Sequence, residues 1–128
     1  MQHELSSSMK PNSKYRTFVI YKSFFSDFFK LQTQKVKDKI LWVLRLIECM
    51  DLVPEEYLKH LSGINGLYEI RIQQGGNQYR VFCFFESDNQ IVLLNGFQKK
   101  TQKTPALEKK KAIKIIKAYE EEQKHKNA

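Results

Sequence analysis

Hydrophobic and polar positions divide the chain into seven predicted elements. Residues 17–21 form a short apolar run, rich in β-branched and aromatic side chains, which predicts a strand. Apolar positions three and four residues apart then predict two helices, the first after Ser23 and the second over residues 34–50. Pro54 ends any helical continuation, and residues 55–61 are expected to add at most one helical turn.

From residue 67 onward the apolar side chains alternate, as in strands that bury one face. Residues 67–73 and 79–85 are predicted to form a hairpin, because the segment between them holds glycines and an asparagine that tolerate positive φ. Residues 91–95 predict a third strand, and a last helix is expected to begin at Pro105. The order β-α-α-β-β-β-α predicts an α+β fold: a small antiparallel sheet with helices packed on one face.

The hairpin register follows from the cost of burying charge. If paired residues sum to 153, the face that carries Ile70 and Ile72 is wholly apolar, whereas a sum of 152 pairs Ile72 with Arg80. Burial of an unpaired guanidinium is strongly unfavourable, so the first register is expected. The opposite face then combines two arginines with polar groups and aromatic rings: Glu69, Arg71, Gln73, Arg80, Phe82 and Phe84.

Exposed aromatic rings beside arginines are typical of surfaces that stack nucleobases. On that interpretation Phe82 and Phe84 are exposed and contact RNA. Two other interpretations stay open. The rings could lie beneath the N-terminal strand or the last helix, and Glu69 could simply pair with one arginine on a solvated face.

The charge of the chain favours an anionic partner. Its 128 residues include 22 Lys and Arg against 14 Asp and Glu, a formal net charge of +8, which favours nucleic acid before membrane. Most of the excess lies in residues 98–128, with ten Lys and four Glu. Lys99, Lys100 and Lys103 follow the last strand beside the arginines, where they could reach phosphate as point charges.

The length fits one domain, predicted for residues 16–122. Residues 1–15 are expected to be a flexible leader and residues 123–128 a disordered tail. Cys49 and Cys83 lie in apolar segments and are expected to be buried thiols. Because no signal-peptide pattern or long apolar run is present, the protein is expected in the cytoplasm.

Three segments resemble a family of toxins. They are residues 67–71 (LYEIR), 79–82 (YRVF) and 94–105 (LNGFQKKTQKTP). Their order and spacing resemble those of the RelE-like toxins of type II toxin–antitoxin systems, nearest to the phage-derived HigB-like branch. The resemblance covers about residues 16–122.

The resemblance implies a RelE-like toxin fold whose sheet binds RNA. It implies an endoribonuclease that cuts mRNA on the ribosome and so inhibits translation. No cofactor is expected. Its partners would be the ribosome, mRNA and a HigA-like helix-turn-helix antitoxin that holds the toxin inactive. Operator DNA would be reached only through that complex, and no membrane is implied.

The family segments also imply site residues. Arg71, Arg80, Lys99 and Lys100 match basic residues of the family pattern and are the expected catalytic residues. Apart from the family match, the expected RNA contacts are Glu69, Gln73, Tyr79, Phe82, Lys103 and His60. Three positions depart from the family pattern. Asn95 stands where many relatives have histidine, Cys83 where tyrosine is common, and Tyr119 lies too far along the last helix to be the family's aromatic base.

The chemistry of the residues agrees with this reaction. Cleavage of RNA by its own 2′-OH needs a cation at the phosphate, a proton acceptor and a proton donor. Arginine supplies the cation, and the absence of metal-ligand spacing disfavours a metal-dependent nuclease. Candidates for proton transfer are Glu69, Tyr79, His60 and a lysine, and we favour Lys99 or Lys100 because neighbouring arginines lower a lysine pKa.

Two other functions fit the same basic surface. A decayed toxin would bind RNA or the ribosome without cleavage. A phage-encoded interaction protein would instead use its basic C-terminal part to bind another protein. Phosphate contacts weaken steeply with salt, which distinguishes RNA binding from the second alternative.

Overall fold

The structure, a computed structural model, describes residues 15–61 and 66–127. They form an α+β fold in the order β1 (Thr17–Ile20), α1 (Phe24–Lys30), α2 (Gln34–Cys49), β2 (Leu58–His60), β3 (Leu67–Gln74), β4 (Asn77–Ser87), β5 (Gln90–Lys99) and α3 (Ala106–Asn127). The predicted leader lies outside the described residues except for Tyr15. The predicted disordered tail differs from the structure, because α3 continues through residues 123–127.

Five strands form one mixed sheet in the order β1-β5-β4-β3-β2. β1 pairs with β5 in parallel and all other neighbours are antiparallel, so the prediction of a purely antiparallel sheet is wrong. β2 was not predicted because three residues are too few to reveal an alternating pattern. Both edge strands are short, and β3, β4 and β5 extend beyond them at the hairpin end.

Helices cover both faces of the sheet, so the prediction that they pack on one face is wrong. α1 and α2 bury one face, while α3 packs on the other against residues such as Phe82 and Leu94. The reason lies in β4 and β5, where residues 81–84 and 91–94 are consecutive buried apolar side chains. Strands of that kind need cover on both faces.

The β3–β4 hairpin turns at Gly75 and Gly76, whose φ angles are 60° and 80°. Two positive φ angles suit the tight turn whose twist matches the flanking strands. The predicted register is wrong, because paired residues sum to 151 rather than 153. A shift by two keeps every side chain on its predicted face, and it makes Arg71 and Arg80 direct partners.

Gly96 allows α1 to pack directly on the backbone of β5. A β-carbon added at Gly96 would lie 2.5, 2.6 and 2.9 Å from three ring carbons of Phe28. We expect Gly96→Ala to lower the free energy of unfolding by about 1–3 kcal/mol, because the ring must move within a packed interface. Urea unfolding of the single variants and of Gly96→Ala/Phe28→Ala measures this. If Gly96→Ala lowered the free energy of unfolding equally in the wild type and in Phe28→Ala, the contact between the two positions would be contradicted.

Candidate nucleic-acid interface

The strands place four cations and one carboxylate on the side of the sheet that faces α3. Arg71 and Arg80 are direct cross-strand partners. Lys59 lies on β2 opposite Glu69, and Lys99 lies on β5 two positions beyond the partner of Arg80. Because side chains alternate along a strand, all five point to the same side. Lys59, Glu69, Arg71, Arg80 and Lys99 are termed the cationic face below.

Glu69 joins the two arginines. Its Oε2 lies 3.3 Å from Nε of Arg71 and 3.5 Å from Nε of Arg80. Its Oε1 is buried and has no hydrogen-bond partner among the described residues. Glu69 therefore pairs with both arginines rather than with one. A single carboxylate offsets two guanidinium charges, which leaves positive charge for a ligand.

Arg80 is held in place before any ligand binds. Its Nη1 donates to the carbonyl oxygen of Tyr79 (3.1 Å) and its Nη2 to Oε1 of Gln78 (2.9 Å). Its side chain is 4% exposed, against 30% for Arg71, so the prediction that both guanidinium groups are exposed is wrong for Arg80. Burial lowers the pKa of Arg80, and the charge of Glu69 opposes that change. Arginine nevertheless stays protonated at neutral pH, so Arg71 is the accessible cation of the pair.

A cavity of about 580 Å³ opens beside the two arginines and is termed the arginine cavity. It lies at the edge of β3 that β2 leaves uncovered, since β2 pairs only with residues 68–70. A second cavity of about 590 Å³, lined by Lys99 and Lys100, shares Gly76 and Gln78 with the first. The hairpin end therefore carries two adjacent cavities with cations in each.

The lysines after the arginines differ from one another. Lys99 is partly buried, whereas Lys100 and Lys103 are exposed. Burial lowers the pKa of Lys99, and the nearby positive charge of Arg80 lowers it further, while Glu69 acts in the opposite direction. The cationic face thus contains a lysine that releases its proton more readily than an ordinary surface lysine.

Two predicted site residues lie on the opposite face. Tyr79 is 6% exposed and belongs to the core beneath α1 and α2. His60 pairs with Tyr68, and their rings lie 4.9 Å apart between centroids. Each directly neighbours a residue of the cationic face along its strand, so alternation turns it to the other side. Gln73, by contrast, is exposed on the same side as Arg71.

Phe82 and Phe84 are covered by α3. They are 0% and 7% exposed. The ring of Phe82 packs against Phe97 at 5.3 Å and that of Phe84 against Tyr119 at 5.6 Å between centroids. The prediction that these rings are exposed for base stacking is wrong, and the interpretation that placed them beneath the last helix is confirmed.

The positions that depart from the family pattern have roles within the fold. Asn95 Nδ2 donates to the carbonyl oxygen of Glu108 (3.1 Å) and to its Oε1 (3.0 Å), which ties the start of α3 to β5. Cys83 is buried, as is Cys49, and both are free thiols as predicted. Tyr119 donates to Oε2 of Glu86, and burial together with that carboxylate raises its pKa to about 12.

Several residues near the arginines were not found from the sequence. Lys59 lies on the strand that was not predicted, and Lys39 lies on α2, which packs on the opposite face of the sheet. Glu56 and Tyr57 follow Pro54 in an irregular segment without periodicity. The three residues of β2 are too few to show an alternating pattern, so the sequence offered no signal for this part of the site.

A family match covers most of the chain and includes both arginines. Residues 27–117 match the family described as "Phage derived protein Gp49-like (DUF891)", from within α1 to within α3. Comparison with curated proteins gives no significant match. Within residues 15–61 and 66–127, none of the helices combines the length and the apolar character that crossing a membrane would require. The chain belongs to the Gp49-like family of phage-derived proteins, a toxin-like family related to RelE in toxin–antitoxin systems.

Proposed function

We propose that the protein is the toxin of a type II toxin–antitoxin system, of the HigB-like branch, and that it cuts mRNA on the ribosome. The observation that supports this most is the pairing of Arg71 with Arg80 through Glu69 in the lining of one cavity. Its volume of about 580 Å³ falls in the range of small-ligand sites. A ribosome that positions the mRNA would provide the rest of the substrate contacts.

The two arginines would act on the scissile phosphate. When the 2′-oxygen attacks phosphorus and the bond to the 5′-oxygen breaks, negative charge grows on the non-bridging oxygens. Arg71 would bind these oxygens from the open side, and Arg80 would contact them from within the cavity through charge-assisted hydrogen bonds. Glu69 already orients both groups, so little reorganisation is needed during the reaction.

Proton transfer would fall to the lysines. Burial and the charge of Arg80 lower the pKa of Lys99, and a lysine can release its proton where an arginine cannot, so Lys99 would accept or donate the proton. Lys100 and Lys103 are exposed and would bind flanking phosphates as point charges, and Gln73 would bind at the rim. No metal or other cofactor takes part in this mechanism.

Lys99→Arg separates charge from proton transfer, because arginine keeps the charge but does not release a proton. We expect cleavage in a purified translation system to fall by about 10²–10⁴-fold, with RNA binding unchanged. A lowered pKa means that neutral Lys99 appears at lower pH than an ordinary lysine. If Lys99 accepts the proton, wild-type cleavage rises with pH towards that pKa, and Lys99→Arg removes the rise. Full activity of the arginine variant would show that Lys99 contributes only its positive charge and does not transfer the proton.

A helix-turn-helix antitoxin of the HigA type would hold this toxin inactive. Co-expression tests the partner directly. A neighbouring reading frame that encodes a helix-turn-helix protein should abolish toxicity and co-purify with the chain. The complex, and not the toxin alone, should then bind operator DNA.

One observation favours a second candidate function, a decayed toxin that binds RNA or the ribosome without cutting. Tyr79 and His60, two candidates for proton transfer, lie on the opposite face, which leaves Glu69 and the lysines of the original candidates beside the arginines. Binding alone would require only the cations. Translation would then stop without new RNA ends.

Induction in cells distinguishes the two functions. We expect growth arrest and, by primer extension, cuts within translated codons that disappear when translation initiation is blocked. Growth arrest with intact mRNA would favour the binding protein. No arrest at verified expression would overturn both, and salt-insensitive binding of a protein partner would then point to an interaction protein.

A further inference from the structure

The arginine cavity is larger than a phosphate requires. Beyond the two arginines, it continues along the open edge of β3 to Lys39, Glu56 and Tyr57. We propose that this part is a nucleobase subsite, which takes guanine of the nucleotide whose phosphate lies on Arg71 and Arg80. The inference rests on the proposed function and adds to it a determinant of sequence preference.

Tyr57 provides an aromatic surface in a fixed position. Its carbonyl oxygen accepts a hydrogen bond from the backbone N–H of Arg71 (2.9 Å), which ties the residue to β3. Its ring packs edge-on against Trp42, with 5.8 Å between centroids, and Tyr57 is one of the residues that line the cavity. Burial raises the pKa of Tyr57, and the neighbouring Glu56 raises it further, so the phenol stays neutral. A neutral aromatic residue that is held in place beside an arginine is suited to stack against a nucleobase.

Glu56 selects the kind of base. The other charged residues that line the described cavity, Lys39 and the two arginines, are all cationic. A carboxylate repels phosphate, so in this setting it suits the neutral part of a nucleotide. Guanine offers adjacent donors, N1–H and N2–H, which can both bind one carboxylate, whereas uracil offers one donor between two acceptors.

The edge of β3 adds backbone groups to the subsite. The N–H of Arg71 points towards β2, where it bonds to Tyr57. By alternation the backbone of Gln73 points to the same edge, beyond the last residue that β2 pairs. Gln73 and Gln74 both line the same cavity. These amides can serve the remaining polar atoms of a base.

Calorimetric titration of the whole chain tests the subsite without cleavage. The probes are guanosine 5′-monophosphate, uridine 5′-monophosphate and ribose 5-phosphate. We expect the guanosine nucleotide to bind about ten- to a hundredfold more tightly than ribose 5-phosphate, because stacking and the Glu56 contact are added. Trp42 is the single tryptophan of the chain, so its fluorescence should respond to the guanosine nucleotide. Equal affinity for all three probes would overturn the subsite.

Glu56→Gln and Glu55→Gln form a matched pair. Both residues are exposed, but only Glu56 lines the cavity. We expect Glu56→Gln to remove the preference for guanosine over uridine and Glu55→Gln to keep it. Tyr57→Leu should lower the affinity for both nucleotides and leave the affinity for ribose 5-phosphate unchanged. Unaltered nucleotide binding by Glu56→Gln and Tyr57→Leu would contradict the assignment.

Mapping of cut sites in cells separates the two proposals. If the wild type cuts mRNA and Glu56→Gln cuts with an altered base distribution, the subsite is supported. If the distribution stays the same, the subsite is overturned while the endoribonuclease stands. If the wild type cuts nothing but binds the guanosine nucleotide through Tyr57, the endoribonuclease fails and the nucleotide site is supported.

Discussion

Cells that express Arg71→Ala are expected to keep growing when the gene is induced, and their mRNA should stay intact. Arg71 is the accessible cation at the phosphate, with a side chain that is 30% exposed. Loss of one group that stabilises transition-state charge lowers the rate by at least about a hundredfold. The fold should survive, because Glu69 keeps its contact with Arg80. Cleavage assays and urea unfolding measure the two effects separately.

Arg80→Ala should lose activity as well, but for two reasons at once. It removes a phosphate ligand, and it leaves buried Glu69 without its buried partner, which costs about 3–5 kcal/mol of folding stability. Arg45→Ala is the matched control, since Arg45 is exposed on α2, away from the cationic face. A folded Arg71→Ala variant as toxic as the wild type would exclude the phosphate role of that arginine.

Phe82→Ala is expected to lower the free energy of unfolding by about 3–5 kcal/mol. Phe82 is fully buried between the sheet and α3, and its ring packs against Phe97. Removal of a buried aromatic ring loses apolar burial and leaves a cavity that the rigid sheet only partly fills. Urea unfolding measures the change, and α3 should detach at lower denaturant than in the wild type.

Phe82→Leu provides the control for RNA binding. Leucine keeps much of the buried volume, so the variant should fold with a smaller loss of stability. We expect its affinity for RNA to match the wild type, because the ring does not reach solvent. A stable Phe82→Leu variant with weakened RNA binding would show that this position contacts RNA after all.

Helices and strands with a clear period were predictable, whereas the layering was not. The stripe of α2 was predicted, and Val36, Ile40, Val43 and Ile47 are all buried. In β4 the run of residues 81–84 is apolar at every position. The sequence analysis therefore assumed that buried and exposed side chains alternate along β4, although a continuous apolar run already indicated that helices cover both faces of the sheet. Local pattern predicted β1 as a strand but gives no information on its partner, because the parallel pairing with β5 depends on the whole intervening chain.

The location of both arginines on one face was predictable, because a register error of two residues leaves every side chain on the same face of the sheet. Arg71 and Arg80 remain on one side in either register. The same periodicity excludes Tyr79, which directly precedes Arg80 and was nevertheless grouped with it. The burial of Arg80 was not predictable, since it depends on Glu69, Gln78 and the cover of distant elements.

The ionic cluster of Glu69, Arg71 and Arg80 serves the proposed activity but lowers the stability of the fold. Desolvated charges are often less favourable for folding than well-packed apolar groups of similar volume. Here one carboxylate must compensate two guanidinium groups, and one of its oxygens remains unsatisfied among the described residues. Selection for a more heat-resistant protein would therefore tend to replace these three side chains, and such a variant would gain durability as it became harmless to its host.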